Sequence, residues 1–124
     1  MAPSESNGHQ RDHGWDHGHD GEEGRSELKI KFLGATGTVT GSKYLVDVGS
    51  TRILIDHGLF QGQKALRERN WAPLPVDPTS IDAVIVTHAH IDHVGGVPLL
   101  VRQGFRGPIH ASSGTCDVAQ FILR

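Results

Sequence analysis

Three histidines and a carboxylate, His88, His90, Asp92 and His93, fall within six consecutive positions of Thr-His-Ala-His-Ile-Asp-His-Val-Gly-Gly, residues 87–96. Imidazole nitrogens interleaved with a carboxylate oxygen form the mixed ligand set preferred by zinc and by Mn(II)- or Fe(II)-type ions. His88 and His90 are two apart, so an extended segment sends both side chains to one side of the backbone, where they can grip one ion. Asp92 and His93 follow a bend at the entry to a helix and point elsewhere, most naturally at a second ion. Two ions sharing a hydroxide bring the pKa of bound water to about 7 and clamp both oxygens of a phosphodiester displacement. The chemistry expected is therefore metal-dependent hydrolysis.

The elements that must position these groups are legible on either side. Ile81 to Thr87, Ile-Asp-Ala-Val-Ile-Val-Thr, is apolar on both faces after its start, which predicts an interior strand covered on two sides. The cluster lies just beyond its C-terminal end, the usual place for a site in a layered α/β domain. Val97 to Gln103 predicts a short helix, with Pro98 near its start and Gly104 as its C-terminal cap. Upstream, Leu28 to Phe32 alternates apolar residues with Lys29 and Lys31 and reads as a half-buried strand. Lys43 to Val48 and Thr51 to Asp56 read as a hairpin joined through Gly49-Ser50. Asp56 closes an apolar strand; alone it reads as a turn former, and beside the histidine cluster it becomes a site residue.

The remaining segments constrain less. Gly34 to Ser42, Gly-Ala-Thr-Gly-Thr-Val-Thr-Gly-Ser, is a loop of small residues and hydroxyls that either approaches a phosphate closely or serves as a tight connection. It lacks the lysine and helix of a P-loop, which argues against nucleotide binding. Gln61 to Asn70 is helix-permissive, and Trp71 to Pro78, with three prolines, reads as extended loop. Gly107 to His110 predicts a brief strand. A last helix, Cys116 to Leu123, is capped by Ser113 or Thr115 and carries Val118, Phe121 and Ile122 on one apolar face.

Met1 to Glu27 is a Gly, His and acid-rich tail with almost no aliphatic residues, predicted to be disordered. Its histidines His9, His13, His17 and His19 read as solvated rather than as a metal site. The first 28 residues hold seven acids against two arginines, a net charge of −5, which leaves the remainder at +3 and permits an anionic substrate. No secretory signal or membrane-length apolar run is present, and the single cysteine, Cys116, has no intramolecular disulfide partner; cytoplasmic location is the expectation, with no membrane partner.

His88-Ala-His90-Ile-Asp92-His93 resembles the HxHxDH motif of the metallo-β-lactamase superfamily, with Asp56 in Leu-Ile-Asp matching the strand-terminal acid before it. Residues 32–42, Gly58-Leu-Phe-Gln-Gly62 and Gly104-Phe-Arg-Gly-Pro-Ile109 further resemble the β-CASP branch of RNA-processing nucleases. The resemblance covers residues 28–124. It implies an α/β (α+β) chain forming the N-terminal half of an αββα sandwich, with two zinc ions in the complete site. His88 and His90 would ligate one zinc, Asp92 and His93 would belong to the other, Asp92 would also handle a proton as the catalytic group, and Asp56 would brace the ligand loop.

The later histidine, bridging aspartate, distal histidine and inserted domain of that family have no counterparts here. His110 falls on a strand and reads as structural. The resemblance thus implies a truncated portion, inactive as an isolated 124-residue chain and needing a missing C-terminal segment or a homologous partner to complete the site. The alternatives are a carbonyl hydrolase of the glyoxalase or lactonase type on the same fold, and a non-catalytic metal-binding fragment.

Overall fold

The computed structural model describes residues 27–124. The tail assignment for residues 1–27, and the four tail histidines with it, lies outside the described residues apart from Glu27. Five strands form one mixed sheet in the order β1-β2-β3-β4-β5: β1 Leu28–Phe32, β2 Tyr44–Val48, β3 Thr51–Ile55, β4 Ala83–Ile85 and β5 Ile109–His110. β1, β2 and β3 are antiparallel, the second pair closed by the Gly49-Ser50 turn, whereas β3, β4 and β5 run parallel. The helices are α1 Lys64–Glu68, α2 Ile91–Val94, α3 Val97–Arg102 and α4 Ser113–Ile122. This mixed α/β architecture is the one the sequence implied.

One face of the sheet carries the core. Leu45, Leu54 and Val84, on neighbouring strands, are fully buried against Val94 of α2, Val97 and Leu100 of α3, and Phe105. Their burial is possible because α2 and α3 follow β4 directly and fold back over it. Gly104 ends α3 at φ 115°, and Phe105 N–H then bonds back to the Leu100 carbonyl at 3.2 Å, as the cap assignment required.

The opposite face is left uncovered, as half of a two-sheet sandwich leaves it, and this corrects the readings of β1 and β4. Register places Leu28 opposite Val48 and Phe32 opposite Tyr44, then Tyr44 opposite Ile55 and Ile55 opposite Ile85, all on the side away from the helices. Leu28, Ile30 and Phe32 are 60%, 53% and 66% exposed, so β1 is exposed along its whole length instead of half-buried. β4 is interior to the sheet but covered on one face alone, Ile85 being 38% exposed. Apolar alternation specifies which side chains share a face; it does not supply the layer that would cover them. The last helix starts at Ser113 and is capped by Ser112, whose side chain accepts from Thr115 N–H, not by Ser113 or Thr115. Its apolar residues Val118 and Phe121 are 50% and 75% exposed.

Among the described residues three ionisable groups are buried, Lys43, Asp56 and His57. His57 is buried, and desolvation, with Lys43 nearby, pushes its pKa down from 6.5 to about 4. The folded state therefore resists a proton that the unfolded chain takes up readily. Stability attributable to His57 should be fully present above pH about 6.5 and fall as pH drops toward about 4, by about 3 kcal/mol. Urea unfolding across that range should show a steeper acid loss for the parent chain than for His57→Leu; parallel curves would refute the assignment.

Candidate metal centre

Asp56 is the hub of the site. It follows β3 with φ 59°, a left-handed conformation that aspartate adopts more readily than most residues and that costs roughly 1–2 kcal/mol. Its backbone N–H continues the β3–β4 ladder by donating to the Ile85 carbonyl at 2.8 Å, while its carboxylate, almost wholly buried, turns toward the segment after β4. There Oδ1 accepts from Thr87 N–H at 2.8 Å. Oδ2 accepts from Thr87 Oγ1 at 2.8 Å, from His93 Nδ1 at 2.8 Å and, more weakly, from Ser42 Oγ at 3.4 Å.

Donor and acceptor roles follow from this arrangement. A carboxylate only accepts, so His93 Nδ1 carries a hydrogen, and in the neutral ring that leaves the lone pair on Nε2. Thr87 has one hydroxyl hydrogen and gives it to Asp56. Lying 3.1 Å from His88 Nδ1, the same hydroxyl oxygen can only accept from that ring, which leaves His88 Nε2 with a lone pair as well. One buried carboxylate thus sets the tautomer of two histidines, directly for His93 and through Thr87 for His88.

His88, His90 and His93 are gathered at this point. The His88 ring centroid lies 4.7 Å from that of His90 and 3.7 Å from that of His93, and Asp92 Oδ2 is 3.6 Å from His93 Nε2. His90 is the N-cap residue of α2, and Asp92 and His93 lie within that four-residue helix, so it carries three of the four groups. Among the described residues no group of three or more His, Cys, Asp or Glu side chains is placed to hold a metal ion as the side chains stand. The donor chemistry nevertheless suits a borderline cation: three imidazoles and a carboxylate, with Nε2 lone pairs presented by His88 and His93. His110 stands apart on β5, its carbonyl accepting from Val86 N–H at 2.8 Å.

Backbone bonds lock the platform. His57 N–H donates to the His93 carbonyl at 2.9 Å, Leu59 N–H to Ile91 at 3.1 Å, and Ser42 N–H to Asp92 at 2.9 Å. The Gly34 to Ser42 loop is closed at its neck by Leu33 and Gly34 N–H, which both donate to the Lys43 carbonyl, and Ser42 at its C-terminal end donates to the Asp92 carbonyl of α2. Ser42 and Thr87 are the site residues that sequence reasoning did not assign. Thr87 stood inside the motif, but a lone hydroxyl has no spacing signature.

Replacing Thr87 by valine keeps the shape and removes the relay to His88 alone. Zinc affinity is expected to fall about tenfold, with Thr87→Ser restoring it. Chelator competition measures the affinity, and histidine 15N shifts should show His88, and not His93, losing its fixed tautomer. An unchanged His88 tautomer would overturn the relay.

The sequence model of the metallo-beta-lactamase superfamily matches residues 36–117. Ribonuclease TTHA0252 of Thermus thermophilus is 45% identical over 96 residues, covering 77% of this chain and 22% of the relative. Transcription termination factor FttA of Cenarchaeum symbiosum is 33% identical over 102 residues, covering 79% and 16%. The chain therefore spans about a fifth or less of the length of these relatives. Their names agree with the β-CASP resemblance. Among solved structures, the MIM-2 metallo-β-lactamase superposes with a TM-score of 0.50 at 26% identity, covering 76% of this chain and 34% of that one. The subclass B3 metallo-β-lactamase MEM-A1, from a soil metagenome library, gives 0.51 at 23% identity over 72% and 32%, a likeness of fold alone. With its motif, its fold and a family match across most of the described residues, this chain belongs to the metallo-β-lactamase superfamily.

Proposed function

We propose that the chain carries the metal-binding motif of a zinc-dependent hydrolase of RNA. The observation that supports this most is the Asp56 network, which presents the Nε2 atoms of His88 and His93 as lone-pair donors. His88 and His90 hold one zinc, and Asp92 and His93 belong to a second. Zinc so held supplies a water that ionises near neutral pH and positive charge opposite a phosphodiester. Asp92 is the catalytic group: its Oδ2, beside His93 Nε2, takes up and returns a proton. Asp56 positions both histidines and the α2 start without touching substrate. Relatives named as a ribonuclease and as transcription termination factors favour RNA over other phosphodiesters.

The greater length of those relatives and the uncovered apolar face of the sheet support a further part of this reading. A C-terminal segment, or a homologous partner, covers that face and adds the remaining ligands, and the whole works in the cytoplasm. Among the described residues no helix is long and apolar enough to cross a membrane.

The test is made on the polypeptide as isolated from its source cell, stripped of metal and reloaded with zinc. Single-stranded RNA should be cleaved only after reloading, and His90→Ala should abolish cleavage. The likeness to a metallo-β-lactamase favours the second reading, a carbonyl hydrolase. Intact RNA with rapid opening of a lactone or thioester would replace the first reading with that one.

A further inference from the structure

Next to the segment that bears Asp56 lies a cavity of about 120 Å³, lined by Lys43, His57, Phe60, Arg69 and Asn70 together with apolar residues and Gln103, and by no acidic side chain. Asp56 faces the metal motif, and the next residue, His57, lines this cavity. Lys43 is 7% exposed, an unusual burial for an ammonium group. None of the ion pairs among the described residues includes Lys43 or Arg69. Both cations instead lie over one ring: Lys43 Nζ is 4.7 Å from the Phe60 centroid and Arg69 Cζ is 4.3 Å from it. Asn70 fixes that ring by exchanging hydrogen bonds with the Phe60 backbone, 2.6 Å from Phe60 N–H and 2.9 Å to its carbonyl. The ring quadrupole attracts the two cations but carries no net charge, so their repulsion stands. Burial and Arg69 together hold the Lys43 pKa below its usual value.

A buried charge without a counter-charge is costly, and here a second cation is placed beside it. We infer that this cavity is an anion site for a single phosphate group, with Lys43 as the point charge and the Arg69 guanidinium as the planar fork. That combination of a compact ammonium and a bidentate donor suits tetrahedral oxyanions. The volume lies well below the roughly 300 Å³ of pockets that enclose drug-sized molecules, so a phosphate enters without the base and sugar of a nucleotide. The phosphate belongs either to the solution or to the end of a nucleic acid. The inference does not depend on bound metal.

Inorganic phosphate titrated by calorimetry into the full chain, stripped with chelator and held at constant ionic strength, should bind saturably at one site and raise the melting temperature. Arg69→Gln, at an exposed position, should weaken binding about tenfold or more. Lys43→Met should abolish binding and also raise the melting temperature in phosphate-free buffer, because it removes the uncompensated charge. If Lys43→Met fails to fold, Arg69→Gln still decides. Absence of saturable binding to the parent chain, or unchanged binding by Arg69→Gln, would overturn the site. Displacement of phosphate by a 5′-phosphorylated oligoribonucleotide but not by its 5′-hydroxyl counterpart assigns the site to a nucleic-acid end. Displacement by neither assigns it to free phosphate.

Discussion

Asp56→Asn should weaken zinc binding by at least about 100-fold while leaving the fold in place. The side chain keeps its shape, and one carbonyl oxygen still accepts from Thr87 N–H in place of Oδ1. The amide nitrogen then replaces Oδ2, turning an acceptor of the Thr87, His93 and Ser42 hydrogens into a donor. Thr87 must accept from it and so directs its own hydrogen at His88 Nδ1, and His93 Nδ1 must accept as well. Both rings then carry their hydrogen on Nε2, the atom assigned to metal. Loss of a partner that orients one ligand costs about 10- to 100-fold in affinity, and here two ligands lose theirs together. Chelator competition supplies the affinity and histidine 15N shifts the tautomers. If Asp56→Asn bound zinc as the parent does, with both tautomers unchanged, the hub role of Asp56 would be wrong.

The contrast between what could be read in advance and what could not follows from distance along the chain. His88, His90, Asp92 and His93 are contiguous, so their convergence needs only one strand end and one helix start, both marked by apolar pattern and glycines. Asp56 was legible as the acid closing an apolar strand, but its contacts reach 31 residues on to Thr87 and 37 on to His93. Partners at that separation leave no spacing to read. The hydroxyls of Ser42 and Thr87 were invisible for the same reason. Ser113 and Thr115 are chemically equivalent to Ser112 as helix caps; the extended backbone of Ser112, φ −65° and ψ 155°, decides the matter. Alternation in β1 named the residues of an apolar face, Leu28, Ile30 and Phe32, yet nothing in those five residues tells whether a second layer lies over them. The Lys43 and Arg69 pair around Phe60 joins three separate segments through packing, the level at which local pattern carries least information.

Gly58→Ala should be the most damaging glycine-to-alanine substitution among the described residues, lowering stability by about 3 kcal/mol or more. A methyl group at Gly58 would fall on the carbonyl carbon and oxygen of Asp92, with His93 N only 2.7 Å away. These are backbone atoms of α2 and cannot rotate aside. Nor can the segment retreat, because Gly58 N–H is bonded to the Ser42 carbonyl at 3.0 Å, with His57 and Leu59 bonded to α2 on either side. Relief requires α2 to lift away, which breaks those bonds and carries Asp92 and His93 off the Asp56 carboxylate. Zinc affinity should therefore fall along with stability, although no metal-facing side chain has changed. Gly114→Ala is the matched control: a methyl there meets nothing within 4 Å, and removing a glycine from helix α4 should stabilise the chain by about 0.5 kcal/mol. Urea unfolding of both variants measures the difference. A Gly58→Ala chain within about 1 kcal/mol of the parent would mean that α2 is not clamped against this segment, and the shared platform for Asp56, Asp92 and His93 would have to be abandoned.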